Sequence, residues 1–246
     1  MPNSSLQVFL IDDSQSMLRH WVDVTQTVEA IGYVVKDVDP DGMELRFTSQ
    51  PTEPHKCKNS KELLEKLSLH KPRDGTECMM ENSLSCLIDH LVPPSSSPTK
   101  PKSAIRTLGL SFLNRSSNAN KTGISVYVLT NAIWTASTHS GMAVGEGSGS
   151  GSKVNTCGVD KTIHTLVERL RAGKHSRGFA TLQFIRFGHD KLGKQRLRHL
   201  DNDIKEAKEW DIVDRRYYGR SVRPILIGAL NEESYPSDDS EDEDSV

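Results

Sequence analysis

The chain has 246 residues, of which 35% are hydrophobic and 26% charged, and its formal net charge is -2. That length suits one large domain or one domain with insertions, and the polar composition predicts disordered stretches around a real core. The near-neutral balance favours no charged partner, but the charge is unevenly placed. Residues 237–245, SDDSEDEDS, hold six acids and no base, so removing those six from -2 leaves the body at +4. The four cysteines, Cys57, Cys78, Cys86 and Cys157, form no CxxC pair. Cys78 and Cys86 fall in one predicted helix, too far apart along its axis for a disulfide. Reduced thiols fit a cytoplasmic protein better than a disulfide framework or a zinc site. The N-terminus lacks a basic region, and its apolar run, Val8 to Ile11, is too short for a signal peptide or a membrane span. Asn3, Asn114 and Asn120 sit in glycosylation sequons that then read as chance matches.

Taken in chain order, residues 6–11, LQVFLI, form a continuous apolar run that reads as a buried parallel strand. Ser14 and Ser16 can cap a helix reaching about Ile31, with Met17, Trp21, Val24, Val28 and Ile31 at helical spacing and Gly32 as a natural stop. Residues 33–38 and 43–48 read as two strands of a hairpin turning at Asp41-Gly42. Helices are predicted over 60–69 and 76–91. A Pro/Ser-rich stretch near 93–104 opens an insertion extending to 122. Residues 124–129, ISVYVL, form the second strong strand, and the Gly/Ser-rich stretch 135–156 reads as a flexible insertion. A helix over 159–171 leads to the third strong strand, 179–187. Residues 193–208 read as helical, Ile212-Val213 as an edge strand, Pro224 to Leu230 as a last helix, and 236–246 as a disordered acidic tail.

This order predicts a doubly wound α/β fold: a mainly parallel central sheet flanked by helices on both faces, with one short antiparallel edge hairpin, as a single domain over 1–235. Ligands of such sheets bind beyond the carboxyl ends of the strands. Asp12-Asp13-Ser14-Gln15-Ser16 follows the first strand, Asp74-Gly75-Thr76 precedes the helix at 76, and Thr130-Asn131 follows the second buried strand. Three segments thus offer compact oxygen-bearing side chains, which suit a hard cation such as magnesium.

These residues resemble the von Willebrand factor A family and its metal-ion-dependent adhesion site, a D-x-S-x-S motif joined by a threonine and a later aspartate. Asp12, Ser14 and Ser16 match the first element and Thr76 the second, while Asn131 stands where the family usually has aspartate. The resemblance covers roughly residues 6–230. The phrases DPDGMELRF, FATLQFIRFG, LDND and WDIVD are similar to intracellular A-domain proteins common in fungi. The resemblance implies a site for Mg2+ or Mn2+, with Ser14 and Ser16 as direct ligands and Thr76 direct or water-bridged. Asp12 would anchor waters and serine hydroxyls. It also implies a non-catalytic domain whose open coordination position accepts a carboxylate from a protein partner. Asn131 carries no charge, so a metal-free interaction scaffold with a degenerate site remains an alternative.

A magnesium-dependent hydrolase is the other rival. It wants a second carboxylate two residues after Asp12, and that position is Ser14. The sequence holds no G-x-S-x-G, phosphate-cradling glycine loop or H-E-x-x-H. Asp37-x-Asp39-x-Asp41-Gly42 opens like an EF-hand loop, but its twelfth position is Thr48, so a hairpin turn is the better reading. His70, His90, His189 and His199 read as solvated. Arg171, Lys174, Arg177, Lys191, Lys194, Arg196 and Arg198 form a basic cluster without interleaved aromatics, read as a solvated face and not a nucleic-acid surface, against which the acidic tail can lie. Ser237 and Ser240 precede acids, as acidophilic-kinase sites do.

Overall fold

A computed structural model describes residues 5–36, 42–94, 123–136 and 154–218. The continuous apolar runs form the centre of the sheet. β1 (Ser5–Ile11) pairs in parallel with both β2 (Met43–Phe47) and β4 (Gly123–Thr130); β4 pairs in parallel with β5 (Ala180–Arg186), and β5 with β6 (Val213–Tyr217). β3 (Gln50–Cys57) runs antiparallel to β2 at one edge, giving the order β3-β2-β1-β4-β5-β6. Pro51 and Pro54 are tolerated there because an edge strand need not donate on its outer side.

Among the described residues, six α-helices cover the sheet: α1 (Trp21–Val35), α2 (Ser60–Leu69), α3 (Met80–Leu91), α4 (Val159–Ala172), α5 (Lys191–Asn202) and α6 (Lys205–Trp210). Alternate residues of each central strand serve opposite faces. Val8, Leu10, Val126 and Val128 pack with the apolar stripes of α3, α4 and α5, including Leu84, Leu166 and Leu197. Phe9, Ile11, Tyr127 and Leu129 pack with Val28 and Ile31 of α1 and Leu63 of α2. Both faces are therefore apolar, which is why these strands show no polar alternation. Among the described residues, no helix is long and apolar enough to cross a membrane.

The structure corrects several expectations. α1 does not stop at Gly32. A Cβ at Gly32 would lie 2.8 Å from Leu63 Cδ2, so this glycine gives α2 a close approach and the helix runs on to Val35. Residues 33–35 are therefore helical, and Asp41-Gly42 is not the turn of the hairpin. The antiparallel pair is β2–β3, turning at Thr48-Ser49. Residues 76–79 precede α3 because Cys78 forms a bridge with Trp134 and its carbonyl accepts a bond from Thr135 N at 2.9 Å. The helix expected over 193–208 is two helices, α5 and α6, with Ile204 buried at their junction. Arg196 is buried, unlike the solvated cation expected (5% exposed). The acidic tail, the helix at 224–230 and nearly all of the insertions at 93–122 and 135–156 lie outside the described residues.

Candidate metal centre at the sheet end

In the strand order 3-2-1-4-5-6, the connections diverge between β1 and β4, and the crevice beyond their carboxyl ends is the usual ligand position. Asp12 follows β1 there, and Asn131 follows β4. The two strand ends are tied by Asp12 N, which donates to Leu129 O at 2.9 Å.

Asp12 is fully buried. Its Oδ1 accepts from Ser14 N at 3.1 Å and from Ser14 Oγ at 2.6 Å, and its Oδ2 accepts from Thr130 Oγ1 at 2.7 Å. These donors are neutral. Burial pushes the Asp12 pKa up, and the bonds from Ser14 and Thr130 offset that only in part. Ser14 Oγ lies 3.0 Å from Ser16 Oγ, so the first motif folds into one compact oxygen cluster. Ser14 stands just before the short 3-10 turn Gln15–His20, and its carbonyl accepts from Met17 N at 3.0 Å while its hydroxyl stays with Asp12 and Ser16.

Thr76 arrives from a separate loop. Gln15 clamps that loop to the first motif: its N donates to Thr76 O at 3.0 Å, and its Oε1 accepts from Gly75 N at 2.9 Å. Thr76 Oγ1 donates to Arg73 O at 2.7 Å, which leaves the hydroxyl's lone pairs available. Asn131 is buried. Its Oδ1 accepts from Ile133 N at 3.0 Å, while its Nδ2 has no hydrogen-bond partner. Flipping the amide would set two donors against each other, so the carbonyl oxygen is committed to the loop.

Sequence reasoning assigned no role to four residues around this centre. Thr130 joins β4 to Asp12, and its Oγ1 also accepts from Ala132 N at 2.9 Å and Trp134 Nε1 at 3.0 Å. Cys78 is buried beside Asp12, where burial and that carboxylate raise its thiol pKa well above the usual range. Asp13 accepts from Thr48 Oγ1 at 2.9 Å, from Ser49 N at 2.9 Å and from Ser49 Oγ, and its Oδ2 lies 2.7 Å from His70 Nε2. Burial alone would raise the Asp13 pKa, but the bonds from His70, Ser49 and Thr48 prevail and hold it low. His70 is thus no solvated histidine: it stacks on Phe47 with ring centroids 3.6 Å apart. Asp13 and His70 anchor the β2–β3 turn and the end of α2 to β1. The only advance signal for Asp13 was a second acid at a strand end.

Among the described residues, no three His, Cys, Asp or Glu side chains group as a metal site. The donors here are hydroxyls around one buried carboxylate. That set fits a hard cation, which would supply the counter-charge that Asp12's neutral donors do not. Asn131, as oriented, offers no oxygen to it.

No protein-family model matches the chain, and no curated protein does. Solved structures match its fold. Proximal thread matrix protein 1 from the mussel byssus aligns with TM-score 0.51 at 12% identity, over 93% of this chain and 48% of that one. A second structure of that protein, described as having a zinc-occupied MIDAS motif, aligns with TM-score 0.50 at 12% identity, again over 93% and 48%. Manganese-loaded TRAP protein from Plasmodium vivax gives 0.47 at 13% identity, over 93% and 75%. This chain spans about half the length of the mussel chains it matches. At such identities the likeness concerns architecture: the chain has a von Willebrand factor A-like fold.

Proposed function

We propose that this domain is a non-catalytic protein-interaction module that holds a divalent cation, Mg2+ or Mn2+, with Ser14, Ser16 and Thr76 around Asp12. It would present the open coordination position to an acidic residue of a partner protein. The observation that carries this reading is the 3.0 Å separation of Ser14 Oγ and Ser16 Oγ beside a buried carboxylate. Neighbouring ligands of an octahedral Mg2+, bonded at 2.0–2.1 Å, lie about 2.9 Å apart, so the two hydroxyls already form one edge of such a shell. The zinc-occupied motif of the mussel protein supports the same reading for this fold.

The segments that flank these residues in sequence also carry exposed apolar side chains. Leu18 lies two residues beyond Ser16, Met79 three beyond Thr76, and Ile133 two beyond Asn131; Leu192 adjoins Gly193, which packs against Asn131 O. Exposed apolar side chains on segments flanking a polar centre suit protein contact. The four cysteines are free thiols, which suits an intracellular, reducing compartment.

Asn131 favours one second reading, a metal-free scaffold, because its amide oxygen is already bound to Ile133 N. Isothermal titration with Mg2+ and Mn2+ separates the two. Wild type should bind, Ser14→Ala/Ser16→Ala should not, and Asn131→Asp should bind about tenfold more tightly, about 1.4 kcal/mol. Equal binding by wild type and the double serine variant overturns the assignment. Binding by Asn131→Asp alone establishes the metal-free reading.

A further inference from the structure

Among the described residues, the two faces of the sheet are unequally covered. α3, α4, α5 and α6 pack on one face, and only α1 and α2 on the other. The strand register carries Gln183 and Ile185 of β5 to the α1 face beside Tyr127 and Leu129, and sets Asp214 and Arg216 of β6 next to them. α2 approaches α1 at Gly32. Asp23, Thr27, Ala30 and Val34, spaced i, i+4, i+7 and i+11, form the flank of α1 turned away from that contact. The Tyr218 hydroxyl, just past β6, lies by Asp23 of this flank. The flank and β6 thus form the walls of a groove that has β5 as its floor.

The floor changes character along its length. Ile185 and Phe187 make the end near Tyr218 apolar. Toward the amino end of β5 it is polar: Gln183 is 2% exposed, yet its Oε1 has no hydrogen-bond partner, and neither has the buried Thr181 Oγ1. Buried polar groups are normally partnered. An occupant of the groove must therefore bring apolar surface to one end and polar groups to the other.

Residues 219–246 start directly at this groove, after Tyr218. Within them Val222, Ile225, Leu226, Ala229 and Leu230 recur at i, i+3, i+4, i+7 and i+8, the spacing of one apolar helix face, and Pro224 suits a first helical turn. Glu233 falls on the same face, one turn further. A helix from Pro224 to Glu233 extends about 14 Å. The distance from Tyr218 back along β6 to the level of Gln183 is about 13 Å. A helix antiparallel to β6 therefore carries its apolar residues over Ile185 and Phe187 and brings Glu233 to the polar end.

We infer that the groove between α1 and β6 is the docking site of residues 222–233 of this chain, bound as an amphipathic helix antiparallel to β6. Its apolar stripe packs on the floor, and the Thr181 hydroxyl donates to the Glu233 carboxylate. The assignment does not depend on cation binding at the sheet end.

Hydrogen–deuterium exchange of the full chain, read by mass spectrometry, tests it. An isolated helix this short is marginal in water, so protected amides over 225–233 report docking. They should exchange about a hundredfold more slowly than an unstructured chain. Leu226→Asp/Leu230→Asp, on the stripe, should abolish that protection, and Ile227→Asp, off the stripe, should retain it. Ala30→Arg sets a long charged side chain into the groove from α1 and should abolish protection without altering the segment. This second route keeps the test decisive if the double variant misfolds; unchanged protection of β1 and β4 confirms that each variant folds. Exchange over 225–233 at the unstructured rate in the wild type overturns the docking. Protection that survives Ala30→Arg overturns the groove as its place. Protection that falls on dilution overturns docking in cis and gives the groove to a second copy of the chain.

Discussion

Arg196→Leu should be among the most damaging single changes in the domain, and its cost follows from four contacts. The guanidinium donates to Asn155 O at 2.8 Å, Ala132 O at 2.9 Å and Trp134 O at 3.3 Å, and lies 3.2 Å from Cys157 Sγ. These contacts lock the loop after β4 to the segment before α4 and to α5. Leucine replaces much of the stem's packing but strands the carbonyls. Two short bonds from a charged donor contribute about 1.5–3 kcal/mol each. Relief of the buried charge offsets part of that total. A net loss of about 3 kcal/mol remains, a large share of a typical 5–15 kcal/mol stability. At about 2–4 °C per kcal/mol, Tm should fall by about 6–12 °C. Urea titration should show a lower midpoint at unchanged slope, since the surface exposed on unfolding stays the same. Because Ala132 follows Asn131, the variant should also weaken any cation binding at the sheet end. A stability loss below about 1 kcal/mol would refute the reasoning and show that water replaces the guanidinium at these carbonyls.

Three further outcomes can be measured on the same protein. Gly193→Ala places a Cβ 2.4 Å from Asn131 O, so the start of α5 or the loop must shift; urea titration should show a loss of about 1–3 kcal/mol. Asp13→Ala removes the shared acceptor of Thr48, Ser49 and His70, and the stranded buried donors should cost about 3 kcal/mol, read from the denaturation midpoint. Asp201 has its pKa raised to about 6, first by burial and then by Asp214, so the folded state holds its proton more tightly than the unfolded chain. Its contribution to stability is therefore full below the unfolded value near 4 and is lost as pH rises to about 6. Asp201→Asn should flatten that part of a stability-against-pH curve.

The sequence made the centre of this fold legible and left its supports hidden, for a physical reason. β1, β4 and β5 bury both faces, so each appears as a largely apolar run, interrupted by Gln7, Ser125, Thr181 and Gln183. Asp12, Ser14 and Ser16 lie within five residues, and their geometry follows from one strand end and one helical turn. The features that escaped reading depend on distant partners. Gly32 terminates a helix by local propensity, but here it makes room for Leu63. His70 reads as a loop histidine until Phe47 and Asp13 close around it. Arg196 belongs to a basic run until carbonyls 41 to 64 residues away claim it. Thr130 reaches Asp12 across 118 residues. A short motif can therefore announce the oxygen cluster, but how well that cluster holds a cation depends on long-range contacts that fix each oxygen's direction. Asn131 shows this most sharply: its position in sequence suits a ligand, while the bond from Ile133 N points its oxygen elsewhere. Asn131→Asp brings a second carboxylate oxygen, so one oxygen can keep the loop bond while the other faces the centre. The expected gain in affinity thus has a geometric source as well as an electrostatic one.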